Sequence, residues 1–399
     1  MALNIGRNVQ DFAQELVRQA QTKKDFLAST STLQMLIDQG AVGSAPHSLA
    51  AAIANTERTP LPENLALKFG DYGPFPLRNL THQQLAEFLK IPQNYYDRMR
   101  TQAPRLLIEN VHTWLQKPEF STMRMSRTLD GQARAFLSDR YRPLDNVDLF
   151  KAIIDPIVAA EAKIDSCELT ETRLYVKCTT HKITVRAKVG DIIEAGILVQ
   201  NSEVGMGRLQ VGPFLKRLAC MNGMAIDDYA TKRVHLGKRA GRRGADLSGD
   251  VAVGGGVSSG AGIPEEWLRD ETKMADDKAF FMKVQDTVRA SFDREKFEEI
   301  AKKITESTGR TMDANPVNVV KAIQNDFLLS DDEEGKVLQN LIKGADLSQW
   351  GLANAVTLLA GQVSDYERST ELERAGGQVI QLADNDWEDL LKESKKLAA

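Results

Sequence analysis

The stretch RAFLSDRYRPLDN, Arg134 to Asn146, gathers side chains able to do chemistry: three arginines, a tyrosine and two aspartates. Together with Asp130 and Asp148, the carboxylates suit a two-metal nuclease, which holds its ions on acids at strand ends and following turns. Local structure accounts for most of them. Asp130-Gly131 lies between alternating runs and reads as a hairpin turn. Asp145 or Asn146 stands where the next helix needs an N-cap, and Asp148 falls in that helix's first turn. Asp139 alone has no structural task, so a metal nuclease stays as an alternative.

The arginines point instead to a polyanion. With a two-residue turn at Asp130-Gly131, paired positions sum to 261, placing Arg127 opposite Arg134 and Met125 opposite Phe136. Directly opposed like charges destabilise a hairpin unless something compensates them. Guanidinium groups beside an aromatic ring suit a single nucleic-acid strand, with phosphates on the arginines and a base on the ring. Arg140, Tyr141 and Arg142 extend that set. Otherwise the arginines pair with acids such as Asp139 or lie over the methionines. A second basic set, Lys177, Arg186 and Lys188, alternates with Leu174, Val176, Cys178, Val185 and Val189. That alternation gives one apolar and one positive face. The third set is TKRVHLGKRAGRR, which carries Lys232, Arg233, Lys238, Arg239, Arg242 and Arg243 with His235 and no acid. Such a tract neutralises phosphates without reading sequence; the bland reading is a solvated tail.

Other chemistries find little support. No G-x-x-x-x-G-K-[ST] loop occurs, and GMGRLQ places Gln210 where a dinucleotide fingerprint needs Gly or Ala. No nucleotide cofactor is expected. His47, His82, His112, His181 and His235 are scattered and read as surface or turn residues, so no metal is expected either. Cys167, Cys178 and Cys220 form no C-x-x-C pair and read as reduced thiols. Cys220 follows Lys216 and Arg217 on an expected helix, which could lower its pKa, but a small core residue is the commoner outcome.

The elements that must carry these residues change along the chain. Residues 1–116 read as mainly helical with irregular stretches. NVQDFAQELVRQAQ has helical periodicity, and THQQLAEFLK starts at Thr81 as N-cap and stops before Pro92. Residues 117–235 read as an α+β core. Its hairpins are STMRMSRTL with QARAFLS, TRLYVKCTT with KITVRAKVG, and GILVQNSEVG with GRLQVG. Its helices are NVDLFKAIIDPIVAAEAK, kinked at Pro156, and PFLKRLACMNGMAI. This order predicts an antiparallel sheet with helices on one face. Residues 236–263, with nine glycines from Leu236 to Gly262, read as a flexible basic loop, and 264–399 as helical.

The net charge of −4 does not mark a nucleic-acid binder, but its distribution is uneven. From Ser121 to Ala245 there are 21 Lys+Arg against 14 Asp+Glu, leaving 30 against 41 elsewhere. A basic middle between acidic flanks fits a polyanion partner. The start MALNIGRNVQDF does not read as a signal peptide and no apolar run is long enough to span a bilayer, so a cytoplasmic protein is expected.

LTHQQLAEFLKIPQNYYDRM, RAFLSDRYRPLDN and VGDIIEAGILVQNSEVGMGRLQVGPFLKRLACMNGM resemble the phage/plasmid-like domain-of-unknown-function family number 932. WGLANAVTLLAG, LERAGGQVIQL and DWEDLL resemble the ends of such proteins. The resemblance runs from about Leu80 to the C-terminus; the glycine-rich loop and the helical segment after it depart from it. It implies a phage or plasmid setting in a bacterial host. By fold-level analogy it implies kinship with single-strand annealing recombination proteins. The expectation is a non-enzymatic protein that binds single-stranded DNA and anneals strands as a homo-oligomer, without nucleotide hydrolysis. A phage exonuclease or single-strand-binding protein would be its partner. The rival is an accessory protein that binds a host or phage protein.

Overall fold

The computed structural model describes residues 6–38, 65–188, 191–226, 231–233 and 269–397. These hold twelve helices and three antiparallel sheets, a mixed α+β architecture. The chain divides into two compact units. The division does not follow the four segments read from the sequence, because the Asp130-Gly131 hairpin belongs with the elements that precede it.

One unit spans 16–143 of the described chain up to Pro143. It takes the second half of helix α1 (Val9–Thr22), then β1 (Lys24–Ser29), β2 (Leu33–Ile37), β3 (Leu65–Phe69) and β4 (Tyr72–Pro76). Helices α2 (Asn79–Phe88), α3 (Gln93–Gln102) and α4 (Pro104–Leu115) follow, then β5 (Met123–Leu129) and β6 (Gln132–Ser138). The sheets run β1-β5-β6 and β2-β3-β4. Four strands thus occupy a region expected to be helices and loops. Their alternation is masked because many positions are buried on both faces, as in LALKF of β3, where four of five residues are buried. Helix α2 begins at Asn79 rather than after Thr81, whose hydroxyl instead donates to the Ala133 carbonyl at 2.7 Å. Phe69, Leu85, Tyr96, Leu107, Val111 and Phe136 build this unit's core.

The other unit holds the start of α1 and everything described from Leu144 on. Helix α5 (Asn146–Ala159) precedes β7 (Lys163–Leu169), β8 (Leu174–Lys188), β9 (Asp191–Asn201), β10 (Leu209–Arg217), β11 (Asn222–Ala225) and β12 (Thr231–Arg233). Helices α6 (Asp270–Ser291), α7 (Arg294–Gly309), α8 (Pro316–Asp326), α9 (Asp331–Gly344), α10 (Gln349–Ala360), α11 (Tyr366–Gln381) and α12 (Asp384–Lys396) complete it. The sheet order is β11-β10-β9-β8-β7, with β12 also on β10.

Three expectations fail here. The segment around His181 is no turn: β8 runs through it as one strand, with an irregularity between Thr180 and Thr184, and pairs along β9. PFLKRLACMNGMAI is not a helix but the end of β10, a turn and β11. Pro213 is tolerated inside β10 because it lies between the stretch paired to β12 (Leu209–Val211) and the stretch paired to β11 (Phe214–Arg217). Helices also cover both faces of this sheet, not one. On β9, Ile193 and Ala195 share a cluster with Phe297 and Trp350, while the oppositely directed Leu198 joins Tyr175, Phe214 and Tyr366. The terminal helix α12 belongs to the unit's core through Trp387, Leu390 and Leu391. No helix among the described residues is long and apolar enough to cross a membrane.

Candidate nucleic-acid interface

The Asp130-Gly131 turn forms as expected, with φ of 54° and 74° at its two residues, the left-handed pair a tight hairpin turn needs. Leu129 pairs with Gln132 and Thr128 with Ala133, but a bulge then shifts the register. Arg127 consequently faces Ala135, Met125 faces Leu137, and Arg134 is the extra residue. The opposed arginine pair does not exist. Arg127 is 1% exposed and its Nε lies 2.8 Å from Asp25 Oδ1, its register partner on β1. Arg134 is buried too. Phe136 and Tyr141 are also buried, so neither offers a face for a base; Phe136 packs on Phe69 and Phe88. A neighbouring cation missed in the sequence, Arg124, stacks over the Phe88 ring at 4.0 Å. Of the opening set, Arg140 is exposed and Arg142 half-buried, on the turn after β6.

Asp145 occupies the N-cap position of α5, but its side chain does not cap the helix. The first backbone N–H, at Asn146, donates instead to Glu203 Oε1 at 2.7 Å, from the β9–β10 loop. Asp139 accepts from the Ser138 hydroxyl at 3.0 Å. Among the described residues no group of three or more His, Cys, Asp or Glu is placed to hold a metal ion.

The second basic set is split. Lys177 is fully buried, 2.6 Å from Glu373 Oε2 of α11 and 4.7 Å from the centre of the Tyr366 ring. The face read as positive is roofed by α11, so the lysine has a buried acid instead of solvent. Desolvation pushes the Lys177 pKa down and the Glu373 pKa up, and each charge partly offsets the other's shift. Arg186 is exposed; Lys188 is exposed and ion-paired with Asp346 at 2.8 Å.

For the third set, β12 pairs Thr231, Lys232 and Arg233 with Val211, Gln210 and Leu209. Lys238, Arg239, Arg242 and Arg243, with the glycine-rich segment 236–263, lie outside the described residues. The root of the tract therefore sits at the end of β10 that begins beside Arg208. Arg173, another residue the sequence reading missed, packs there: its guanidinium donates to the Met206 carbonyl at 2.6 and 3.0 Å. Lys232 aligns through Gln210 with Gln200 on β9, whereas Arg186 aligns with Ile192. Eight residues of strand separate those rows, roughly 26 Å at about 3.3 Å per residue. Arg186 and Lys188 thus lie at the opposite end of the sheet from Lys232, whereas Lys177, aligned with Leu198, is two residues from its row.

Several other titratable groups are taken up by the fold. His82, expected at the surface, is 1% exposed and lies 2.9 Å from the Tyr96 hydroxyl. Burial, with Arg100 nearby, lowers its pKa to about 3, and burial raises that of Tyr96. His112 Nε2 accepts from the Met35 backbone N–H at 2.9 Å. Burial pushes the Cys167 thiol up to about 11 and Cys178 well above its usual value. Cys220 is on the β10–β11 turn, with Arg217 Nη1 at 3.4 Å.

The class this fold defines is a two-unit α+β protein with antiparallel sheets. No protein-family model, curated protein or solved structure matches the chain.

Proposed function

We propose that this protein binds single-stranded DNA through the basic tract Lys232 to Arg243 and promotes strand annealing in a phage or plasmid setting. The observation that carries the reading is the pairing of β12 with β10, which anchors the first two cations of an acid-free tract beside Arg208. Anchoring limits the ordering entropy that a wholly free basic tail loses on binding. The resemblance of RAFLSDRYRPLDN and of the β9–β11 segment to the phage/plasmid-like family supports the setting. Arg140 and Arg142 stay in the reading as auxiliary contacts. Arg127, Arg134, Phe136, Tyr141 and Lys177 leave it, because burial commits them to the fold.

Fluorescence anisotropy with labelled single-stranded and duplex oligonucleotides at two salt concentrations tests it. Neutralising six phosphates on a single strand gives a log–log salt slope of about −4. A variant with Lys232, Arg233, Lys238, Arg239, Arg242 and Arg243 all changed to Gln should lose that slope and most of its affinity. Binding without salt sensitivity, or unchanged binding by that variant, refutes the proposal. Strand annealing is then scored by the rate at which complementary labelled strands form duplex without nucleotide.

A further inference from the structure

A sheet edge is a row of unpaired N–H and C=O groups, and proteins normally cover it. Among the described residues, most outer sheet edges are covered. The β6 edge is met by the Arg78 N–H and Thr81 hydroxyl on the Ala133 carbonyl, and by Gln84 Oε1 on the Phe136 N–H at 2.7 Å. On β2, His112 takes the Met35 N–H. On β4, Pro74 and Pro76 have no N–H to offer. The β7 edge receives the Arg7 N–H on the Cys167 carbonyl at 2.7 Å. On β11, α11 comes so close that a Cβ at Gly377 would sit 1.8 Å from the Ala225 carbonyl oxygen. The three-residue β12 is too short to template a partner.

The outer edge of β1 has no partner strand. Among the described residues nothing pairs with it beyond β5, and a hydrogen bond meets it at its last carbonyl, where the Thr32 hydroxyl donates to Ser29 O at 2.8 Å. Leu27, at its middle, is 53% exposed. Leu27 also ends an apolar row across the sheet, because it pairs with Met125, which pairs with Leu137.

We infer that β1 is a dimerisation edge, pairing antiparallel with β1 of a second copy about a two-fold axis at Leu27. Antiparallel partners must share a face, so the axis passes through a residue. Only axes at Phe26 or Leu27 keep most of the Lys24–Ser29 strand paired. The axis at Phe26 sets the Asp25 carboxylate against Leu27 of the other copy, twice. The axis at Leu27 sets Asp25 against Ser29, a carboxylate against a hydroxyl, and Phe26 against Ala28. It also meets Leu27 with Leu27, so the row Leu137–Met125–Leu27 continues into the same row of the second copy. That continuity selects a second copy over an unrelated strand, and it does not depend on nucleic-acid binding. The two three-stranded sheets become one of six strands.

Light scattering coupled to size-exclusion chromatography of the full chain tests the inference. The native chain should be a dimer, and Leu27→Lys, which places two ammonium groups on the axis, should be a monomer with an unchanged circular dichroism spectrum. In a Cys220→Ser background, Leu27→Cys should give a disulfide-linked dimer under mild copper-phenanthroline oxidation, and Lys24→Cys should not. A native chain that stays monomeric at its highest soluble concentration overturns the inference. So does a Leu27→Lys chain that remains dimeric. Should Leu27→Lys fail to fold, the Leu27→Cys chain decides: absence of the linked dimer overturns it.

Discussion

Replacing Lys177 with Met should destabilise its unit severely, while replacing Glu373 with Leu in the same molecule should restore most of the loss. The two side chains are 0% and 1% exposed and their charged atoms are 2.6 Å apart. At an effective dielectric constant of about 20, that separation gives a gross attraction of roughly 6 kcal/mol. Desolvating each ion costs several kcal/mol, so the intact pair contributes little net stability. Removing one partner is different, because it leaves a charge in a site lined by Phe214 and Tyr366. The expected loss for Lys177→Met is about 3–5 kcal/mol. For the double variant Lys177→Met/Glu373→Leu it is about 1 kcal/mol or less, giving a coupling energy of at least about 2 kcal/mol. Urea unfolding followed by tryptophan fluorescence reads this, with Trp114→Phe/Trp267→Phe as background so that the buried Trp350 and Trp387 of the same unit supply the signal. A single variant that loses less than about 1 kcal/mol would mean that water reaches the pair, and the buried-pair reasoning fails. Nucleic-acid affinity of the folded double variant should equal that of the native chain, since Lys177 cannot reach a phosphate.

Two further outcomes follow from buried groups and close contacts. The His82 pKa falls from 6.5 unfolded to about 3 folded, so the unfolded chain takes up the proton first as pH drops. Its contribution is complete above pH 6.5 and is lost towards pH 3, about 2 kcal/mol by pH 5 at about 1.4 kcal/mol per unit. Urea unfolding at pH 7.5 and 5 should show that loss in the native chain and not in His82→Leu, which is itself less stable at pH 7.5 because the Tyr96 hydroxyl loses its partner; equal pH sensitivity in both chains would refute the assignment. Gly377→Ala should cost about 3 kcal/mol, because its Cβ would meet the Ala225 carbonyl oxygen at 1.8 Å. Gly335→Ala, in the middle of α9 with nothing within 4 Å, should gain about 0.5–1 kcal/mol; thermal melts compare the two, and similar shifts in both would count against the α11–β11 contact.

Much of the candidate site was legible only as residue types. The hairpin at Asp130-Gly131 could be read because a two-residue left-handed turn has a local sequence signature. The bulge after it could not, since nothing in QARAFLS marks Arg134 as the extra residue. Lys177 looked like an exposed cation because it alternates with apolar neighbours, and Arg127 because a two-residue turn would set it opposite Arg134. Whether the second face of a strand meets water depends on what packs there, and for Lys177 that is a helix almost two hundred residues later. PFLKRLACMNGMAI has enough apolar residues for either a helix or a hairpin. Its pairing with β9 settled the choice.

The sequence by itself determined what local physics controls. The turn, the helix of Asn146–Ala159 and the run of helices after Asp270 follow from φ preferences, capping positions and periodicity. So do the α+β class and the acid-free tract from Lys232 to Arg243. Tertiary structure alone decided register, burial and which edges are covered. Those depend on contacts between residues far apart in the chain, where a one-residue bulge or one roofing helix turns a surface arginine or lysine into a buried ion pair.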